Sequence, residues 1–407
     1  MSGFFTIKQT ESKSRPDGKT HSCASCGLYK DAKSPKMAPF GEFKKEILNI
    51  GEAPGKTEDE RNKPWQGKSG LLLKKVYRRL GIDLFEDCLN INACLCRPMN
   101  KGDNRPPTNL EIDCCRKSLL KVIEDYQPKV IVLLGGSALY AVLGNRWKRS
   151  LEGITKWRGF TIPDKELKAW ICPTFHPSFV ERSEGEEIET IWTQDLQQAF
   201  LKVEEPLPKF KKPKITVIED LSVLNDIKSN LIAFDYETTG IKPHAPGHRI
   251  VCASVAVSEN ECFVFMMPKS KKATQPFIDL LANLHIGKMA HNMKFEEIWS
   301  AVRLRQPVAN WEWDSMVAAH ILDNRPGVTS LKFQTYVNFG IIDYESEVSP
   351  YLKSASKDGN ALNKIQELVK TPKGRELLLE YCALDSVYEY RLAMKQIQIM
   401  NYTFLPF

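Results

Sequence analysis

The chain has 407 residues, 42% of them hydrophobic, and a formal net charge of +7. That length exceeds one ordinary core and suits two domains, and the composition is that of a folded globular protein. No stretch is long and apolar enough for a transmembrane helix. Met1 to Lys13 lack the apolar core of a secretion signal, so a cytoplasmic protein is expected.

Strands alternating with helices are predicted in the first half. Glu46–Ile50 reads as a short apolar strand running into Gly51-Glu-Ala-Pro-Gly55, Leu71–Leu80 as a helix, and Cys88–Leu95 as a strand. Thr108 to Tyr126 reads as a helix, with Thr108 as N-cap and Glu111 closing a capping box. Lys129–Leu134 reads as a buried strand, followed by a helix to Leu143, and Trp170–Phe175 as a strand ending at His176-Pro177-Ser178. Such alternation implies a mainly parallel α/β sheet whose sites lie beyond the carboxyl ends of the strands.

The segment 204–213, rich in proline and lysine, reads as an extended linker between domains at 1–203 and 214–407. After it, Lys214–Ile218 and Leu231–Asp235 read as strands, and Arg249–Val257 with Cys262–Met266 as a hairpin. Helices are predicted at Gln275–Leu284, Lys294–Val302, Asp314–Leu322 and Arg375–Met400. A sheet first and helices afterwards suggests a ribonuclease-H-like layer.

The 11 cysteines, an odd number without a secretion signal, argue against disulfides. Cys172, Cys252, Cys262 and Cys382 sit in apolar runs and read as buried hydrophobes. Others cluster early: a Cys23-Ala-Ser-Cys26 pair, then Cys94, Cys96, Cys114 and Cys115. Four thiolates can hold zinc or an iron–sulfur cluster, and spacing alone does not choose.

The stretch Gly51-Glu-Ala-Pro-Gly55 through Pro64-Trp65-Gln-Gly67-Lys-Ser-Gly70, then Asn92-Ala-Cys-Leu-Cys96-Arg-Pro98, then His176-Pro-Ser178, resembles the three signatures of family-4 uracil-DNA glycosylases over about Cys23 to Val203. The resemblance implies a four-iron, four-sulfur cluster on Cys23, Cys26, Cys96 and Cys115, with Cys94 and Cys114 as neighbours. It also implies a flipped-base pocket. There Asn92 would read the uracil edge, Trp65 would stack on the base, and His176 would stabilise the leaving uracil. Glu52 would favour the cationic sugar and orient water, with Glu58 in reserve, and Arg182 would hold phosphate. Departures are Asn62 for a usual Gly, Trp65 for Phe, and a longer loop between Cys96 and Cys115. An oversized ring at Trp65 supports a second reading of this domain, as a catalytically silent DNA-binding or assembly module.

In the second half, Asp235 and Glu237 stand two apart at a strand's end and so on one face. Adjacent acids repel unless a cation lies between them, and hard oxygen donors suit magnesium or manganese. Asn292-x-x-Phe295-Glu296, Trp313-Asp314 and Tyr381-x-x-x-Asp385 follow in order. This set resembles the proofreading 3′→5′ exonuclease domain of family-A DNA polymerases, in the tyrosine subtype, over about Lys214 to Met400. The resemblance implies two metal ions on Asp235, Glu237, Asp385 and Glu296, with Tyr381 orienting the attacking water and Asn292 and Phe295 positioning the terminal nucleotide. Glu296 stands where the family has Asp. The resemblance further implies DNA as substrate and a DNA polymerase on a separate chain as partner, in the replication or repair machinery of a phage or bacterium. The apolar tail Tyr402–Phe407 is the expected anchor.

Overall fold

The computed structural model describes residues 21–402 except 184, 355 and 357. The chain divides into two compact units. One runs to Arg146 and takes in Gly153–Thr161 and Leu167–Pro206; the other comprises Trp147–Glu152, Ile162–Glu166 and the chain from Leu207 onward.

In the first unit, β1 (Ile47–Gly51), β2 (Cys88–Asn92), β3 (Val130–Leu134) and β4 (Ala169–Thr174) are buried along their whole length. Continuous burial is what a parallel strand covered on both faces requires. They run parallel in the order β2-β1-β3-β4. Gly51 pairs with Asn92, and Leu134 with Thr174, so the carboxyl ends align at one edge. Helices α1 (Lys68–Arg79), α2 (Asn109–Tyr126), α3 (Gly136–Leu143), α4 (Pro177–Arg182) and α5 (Glu187–Leu201) connect and follow them. The capping box expected before α2 is present: Thr108 Oγ1 accepts from the Glu111 amide at 3.3 Å, and Glu111 accepts from the Thr108 amide at 2.7 Å. A buried polar chain, Tyr77 Oη to Asn49 at 2.8 Å and Asn49 to Asn90 at 3.0 Å, satisfies the polar groups inside the layer.

The second unit holds a six-stranded sheet of β5 (Lys214–Val217), β6 (Leu231–Thr238), β7 (Ile250–Ser258), β8 (Glu261–Met266), β9 (Gly287–Ala290) and β10 (Trp311–Asp314), ordered β10-β9-β6-β7-β8-β5. The β6-β7-β8 meander is antiparallel, and the flanking pairs are parallel. Helices α6 (Lys271–Ala282), α7 (Met293–Trp299), α8 (Ser315–Leu322), α9 (Leu331–Phe339) and α10 (Pro372–Ile399) accompany it. One apolar cluster packs α10 on one face of the sheet through Leu378, Cys382 and Val387. Another covers the opposite face with Phe234, Phe277 and Trp299.

The expectation of a sheet followed only by helices is corrected in detail. The four-residue strands β9 and β10 alternate with α6, α7 and α8, too short to show a period of two. The predicted helix to Val302 is α-helical only to Trp299 and continues as a π-helical turn, Ser300–Leu304.

Candidate functional site

The exonuclease-type residues converge where β6 meets α10. Asp235 and Glu237 point the same way from β6, and α10 brings Asp385 to them. A carboxylate oxygen from each lies within 4.8 Å of the others. Burial first, then the Asp385 charge, pushes the Asp235 carboxyl well above its usual range; burial and Asp235 do the same to Glu237.

A lysine enters this group. Lys332, on α9, donates from Nζ to Asp385 Oδ1. Tyr344 Oη donates to the same oxygen at 2.7 Å and accepts from Lys332 at 3.0 Å. The ammonium lies 4.1 Å from the Tyr344 ring centroid and 4.3 Å from that of Tyr381, a cation held between two aromatic faces. Burial, then the Asp385 charge, holds the Tyr381 hydroxyl protonated far above its ordinary range.

Glu296 falls outside the three-carboxylate group. It is buried on α7 and pushed up by burial and then by the charge of Asp235, and its Oε2 has no hydrogen-bond partner. Asn292 takes a left-handed φ of 74° ahead of α7, and the Phe295 ring packs 5.9 Å from Trp299. Asp314 clamps two helix starts, accepting from the amides of Asn292 at 3.1 Å, Met293 at 3.0 Å and Met316 at 2.9 Å. Glu389, one turn beyond Asp385, is also buried. Its Oε2 accepts from Ser315 at 2.6 Å, while Oε1 has no partner. Buried like-charged oxygens, two of them unpartnered, fit a hard divalent cation.

In the first unit the loops after β1, β2, β3 and β4 bring Glu52, Asn92, Ser137 and His176 to one edge. Glu52 accepts from Ser137 Oγ at 2.9 Å. Glu58, the reserve carboxylate, accepts from the backbone amides of Gln66 at 2.8 Å and Gly67 at 2.7 Å, so it staples the Trp65 loop. His176 Nδ1 accepts from the Ser178 amide at 3.2 Å and lies 2.7 Å from Ser178 Oγ. A backbone amide can only donate, so the neutral ring carries its proton on Nε2. Burial, then Arg182, lowers the His176 pKa to about 4, which keeps that neutral form across ordinary pH.

Trp65 is buried at φ 58°, its ring centroid 5.8 Å from that of His176, and its indole N–H has no hydrogen-bond partner. A Cβ at Gly51 would come 2.9 Å from the indole and 2.5 Å from Asn92 Oδ1, so only glycine lets these two groups meet there.

Near the start of α2, a cavity of about 110 Å³ is lined by Cys23, Cys26, Cys94, Cys96, Cys114 and Cys115. Backbone amides already point at two sulfurs: Lys36 N to Cys96 Sγ at 3.2 Å, and Leu95 N to Cys115 Sγ at 3.4 Å. The Cys94 thiol and the Leu95 amide draw the Cys115 pKa down to about 7 against the opposing effect of burial. All eleven cysteines are free thiols. Soft donors around one small cavity fit an iron–sulfur cluster or zinc.

Known proteins match each unit separately. The family model described as the uracil DNA glycosylase superfamily matches residues 38–200, and the model described as 3′-5′ exonuclease matches residues 215–398. The type-4 uracil-DNA glycosylase of Thermotoga maritima is 36% identical over 185 residues, 45% of this chain and 91% of that protein. The chain belongs to the type-4 uracil-DNA glycosylase family. The Saccharolobus solfataricus member is 36% identical over 159 residues, 38% of this chain and 71% of its own. This glycosylase-family protein is a fusion, with a 3′-5′ exonuclease domain in its C-terminal half. Among solved structures, Escherichia coli RNase D aligns with 47% of this chain and 46% of its own at 13% identity and a TM-score of 0.34.

In this glycosylase–exonuclease fusion, the structure gathers Asp235, Glu237, Asp385 and Tyr381 at one place and Glu52, Asn92, Trp65 and His176 at another. Sequence reasoning missed Lys332, Tyr344 and Glu389. Glu389 had a signal, since it lies four residues after Asp385 on the same helix face. Lys332 and Tyr344 had none, because no spacing ties them to Asp385. Tyr402 packs its ring 5.2 Å from that of Trp313, and the remainder of the expected anchor, 403–407, lies outside the described residues. No helix among the described residues is long and apolar enough to cross a membrane.

Proposed function

We propose that the exonuclease unit shortens DNA strands from the 3′ end at Asp235, Glu237 and Asp385. The observation that carries this is the three carboxylates within 4.8 Å of one another, buried together beside the Tyr381 ring. Asp235, Glu237 and Asp385 would hold two magnesium or manganese ions, and Glu296 would lend its unpartnered oxygen. Such ions supply charge stabilisation to the attacking and leaving oxygens of an in-line displacement. Tyr381, held protonated, orients the water by donating and accepting through its hydroxyl. Asn292 and Phe295 shape the place of the terminal base. The test is a 5′-labelled strand with magnesium: a ladder shortening from the 3′ end supports the reading. Cleavage that survives in both Asp235→Ala and Asp385→Ala overturns it.

The glycosylase unit would take a flipped uracil against Trp65, read its edge with Asn92, and donate from His176 Nε2–H to the leaving base. Glu52, oriented by Ser137, would favour the cationic sugar. Cys23, Cys26, Cys96 and Cys115 would hold the four-iron, four-sulfur cluster, whose part is to tie the N-terminal loop to α2. The silent-module reading rests on one observation, the indole seated beside Gly51, Asn92 and His176. Uracil release from a single-uracil strand, measured by alkaline cleavage, decides between them. Binding without release selects the silent module.

A polymerase on a separate chain would deliver a melted primer end, in the replication or repair machinery of a phage or bacterium. The free state of all eleven cysteines supports a reducing, cytoplasmic setting. Co-purification with a replication polymerase tests the partnership, and failure of the intact protein to bind one rejects it.

A further inference from the structure

The exonuclease unit has a second cavity, of about 650 Å³, that none of the site residues lines. It opens where β7 begins and β8 ends. Ile250 and Val251 line it, while Ile250 pairs with Thr238 and Cys252 with Glu237. The cavity therefore adjoins, one strand spacing or ~4.8 Å away, the strand that carries Asp235 and Glu237.

Arg249, Lys269, Lys271, Arg303, Arg305 and Arg375 line this cavity, and no aspartate or glutamate does. All six are exposed. Arg249 bonds to the neutral amide of Gln366, and Arg303 donates to the Ala245 carbonyl at 2.9 Å. Among the described residues, no carboxylate forms an ion pair with any of the six. Six like charges brought together repel one another unless an anion is drawn between them. Lys269 and Lys271 also flank the start of the twelve-residue helix α6, whose N-cap Ser270 makes no side-chain hydrogen bond to the helix amides. The positive end of that helix adds to the field.

Between the cations the lining is aliphatic, including Ile278, Met267 and Leu304. No phenylalanine, tyrosine or tryptophan lines it, so it lacks the stacking faces that grip single bases. Arginines and lysines without a stacking platform or an acid are suited to phosphate contacts that position a strand without reading its sequence.

We propose that this basic cavity binds the sugar-phosphate backbone of the DNA strand on which the exonuclease centre acts, as a separate, sequence-independent contact. The proposal rests on the reading of this unit as one that acts on DNA. It is tested with the full chain in chelator, measuring anisotropy of a labelled single strand over a salt series. The Lys269→Gln/Arg305→Gln/Arg375→Gln variant should weaken binding at low salt. It should also lower the slope of log affinity against log salt by about 2, at roughly 0.7 per single-strand phosphate contact. The Arg305→Lys/Arg375→Lys variant, which keeps the charge, should retain the wild-type slope. An unchanged slope in the glutamine variant overturns the site. So does a loss in the lysine variant equal to that of the glutamine variant, and so does saturable binding of a nucleoside monophosphate that is lost in the glutamine variant while strand binding stays intact. With magnesium, a dinucleotide too short to span both places should be cleaved by the glutamine variant as by wild type. If wild type cleaves no strand at all, the exonuclease reading fails, while the salt slope still judges the cavity.

Discussion

Lys332 rests its ammonium on Asp385 Oδ1, the same oxygen that accepts from Tyr344 at 2.7 Å, although 53 residues separate the two in sequence. The Lys332 side chain is only 11% exposed and that of Asp385 8%, so the pair is screened little by water. The lysine supplies positive charge to a buried acidic group that would otherwise repel itself. Removing one partner of a buried pair costs about 3–5 kcal/mol. Lys332→Met is therefore expected to melt several degrees lower than wild type in chelator, and to gain more from added magnesium than wild type does. Equal melting temperatures in chelator, read by differential scanning fluorimetry, would show that the lysine does not neutralise the group.

Asp235→Asn tests the same crowding from the other side. Burial and Asp385 raise its folded-state pKa, so its contribution to stability is present below the unfolded value and is lost as pH rises. At neutral pH the ionised group opposes folding, and the amide relieves it. The variant should melt about 2–4 °C higher than wild type in chelator, for each ~1 kcal/mol relieved. Its exonuclease rate should fall by about 100-fold or more. A lower melting temperature in chelator would contradict the repulsion argument.

His176 sets an acid limit. Its pKa falls from the ordinary 6.5 to about 4 in the folded state. The stability it contributes is complete above 6.5 and is lost as pH falls toward 4. His291, also lowered to about 4 by burial, acts in the same direction. His176→Gln should remove about 2–3 kcal/mol of the difference in stability between pH 7 and pH 4.5, at ~1.4 kcal/mol per pH unit. Denaturant titrations at the two pH values measure this, and identical pH dependence in variant and wild type would refute it.

Gly51→Ala would drive a methyl group into the Trp65 indole and Asn92 Oδ1. A loss of about 1–3 kcal/mol is expected, as for overpacked cores. Trp65→Phe should recover part of it, because a smaller ring leaves the indole side free while the Asn92 contact remains. Trp65→Phe alone should release uracil faster than wild type if the indole narrows the base pocket. A double-mutant cycle on melting temperature, paired with the uracil assay, checks both, and additive melting effects would show that the two residues do not meet.

The thiol cavity yields a ligand test. Cys96→Ser and Cys115→Ser should each lose bound iron, while Cys94→Ser and Cys114→Ser keep it. Iron and sulfide analysis of anaerobically purified protein gives the answer. One zinc per chain and no sulfide would reject the cluster.

Features that depend on near neighbours in the chain were legible in the sequence. The period of two put Asp235 and Glu237 on one face of β6, the period of 3.6 aligned Tyr381 with Asp385, and Thr108 with Glu111 closed its box as the spacing required. The strands β1 to β4 announced themselves because burial on both faces demands unbroken apolar runs. Tertiary structure alone decided what those residues meet. The sheet carried Lys332 and Tyr344 to Asp385, gave Glu58 to the amides of Gln66 and Gly67, left Glu296 outside the three-carboxylate group, and drew Cys94 and Cys114 into the cavity of the four expected cysteines. It also gathered six cations from separate elements around one cavity. Each of these is a contact between groups that no helical or strand period relates, made by the packing of layers whose register is set by the burial of other residues.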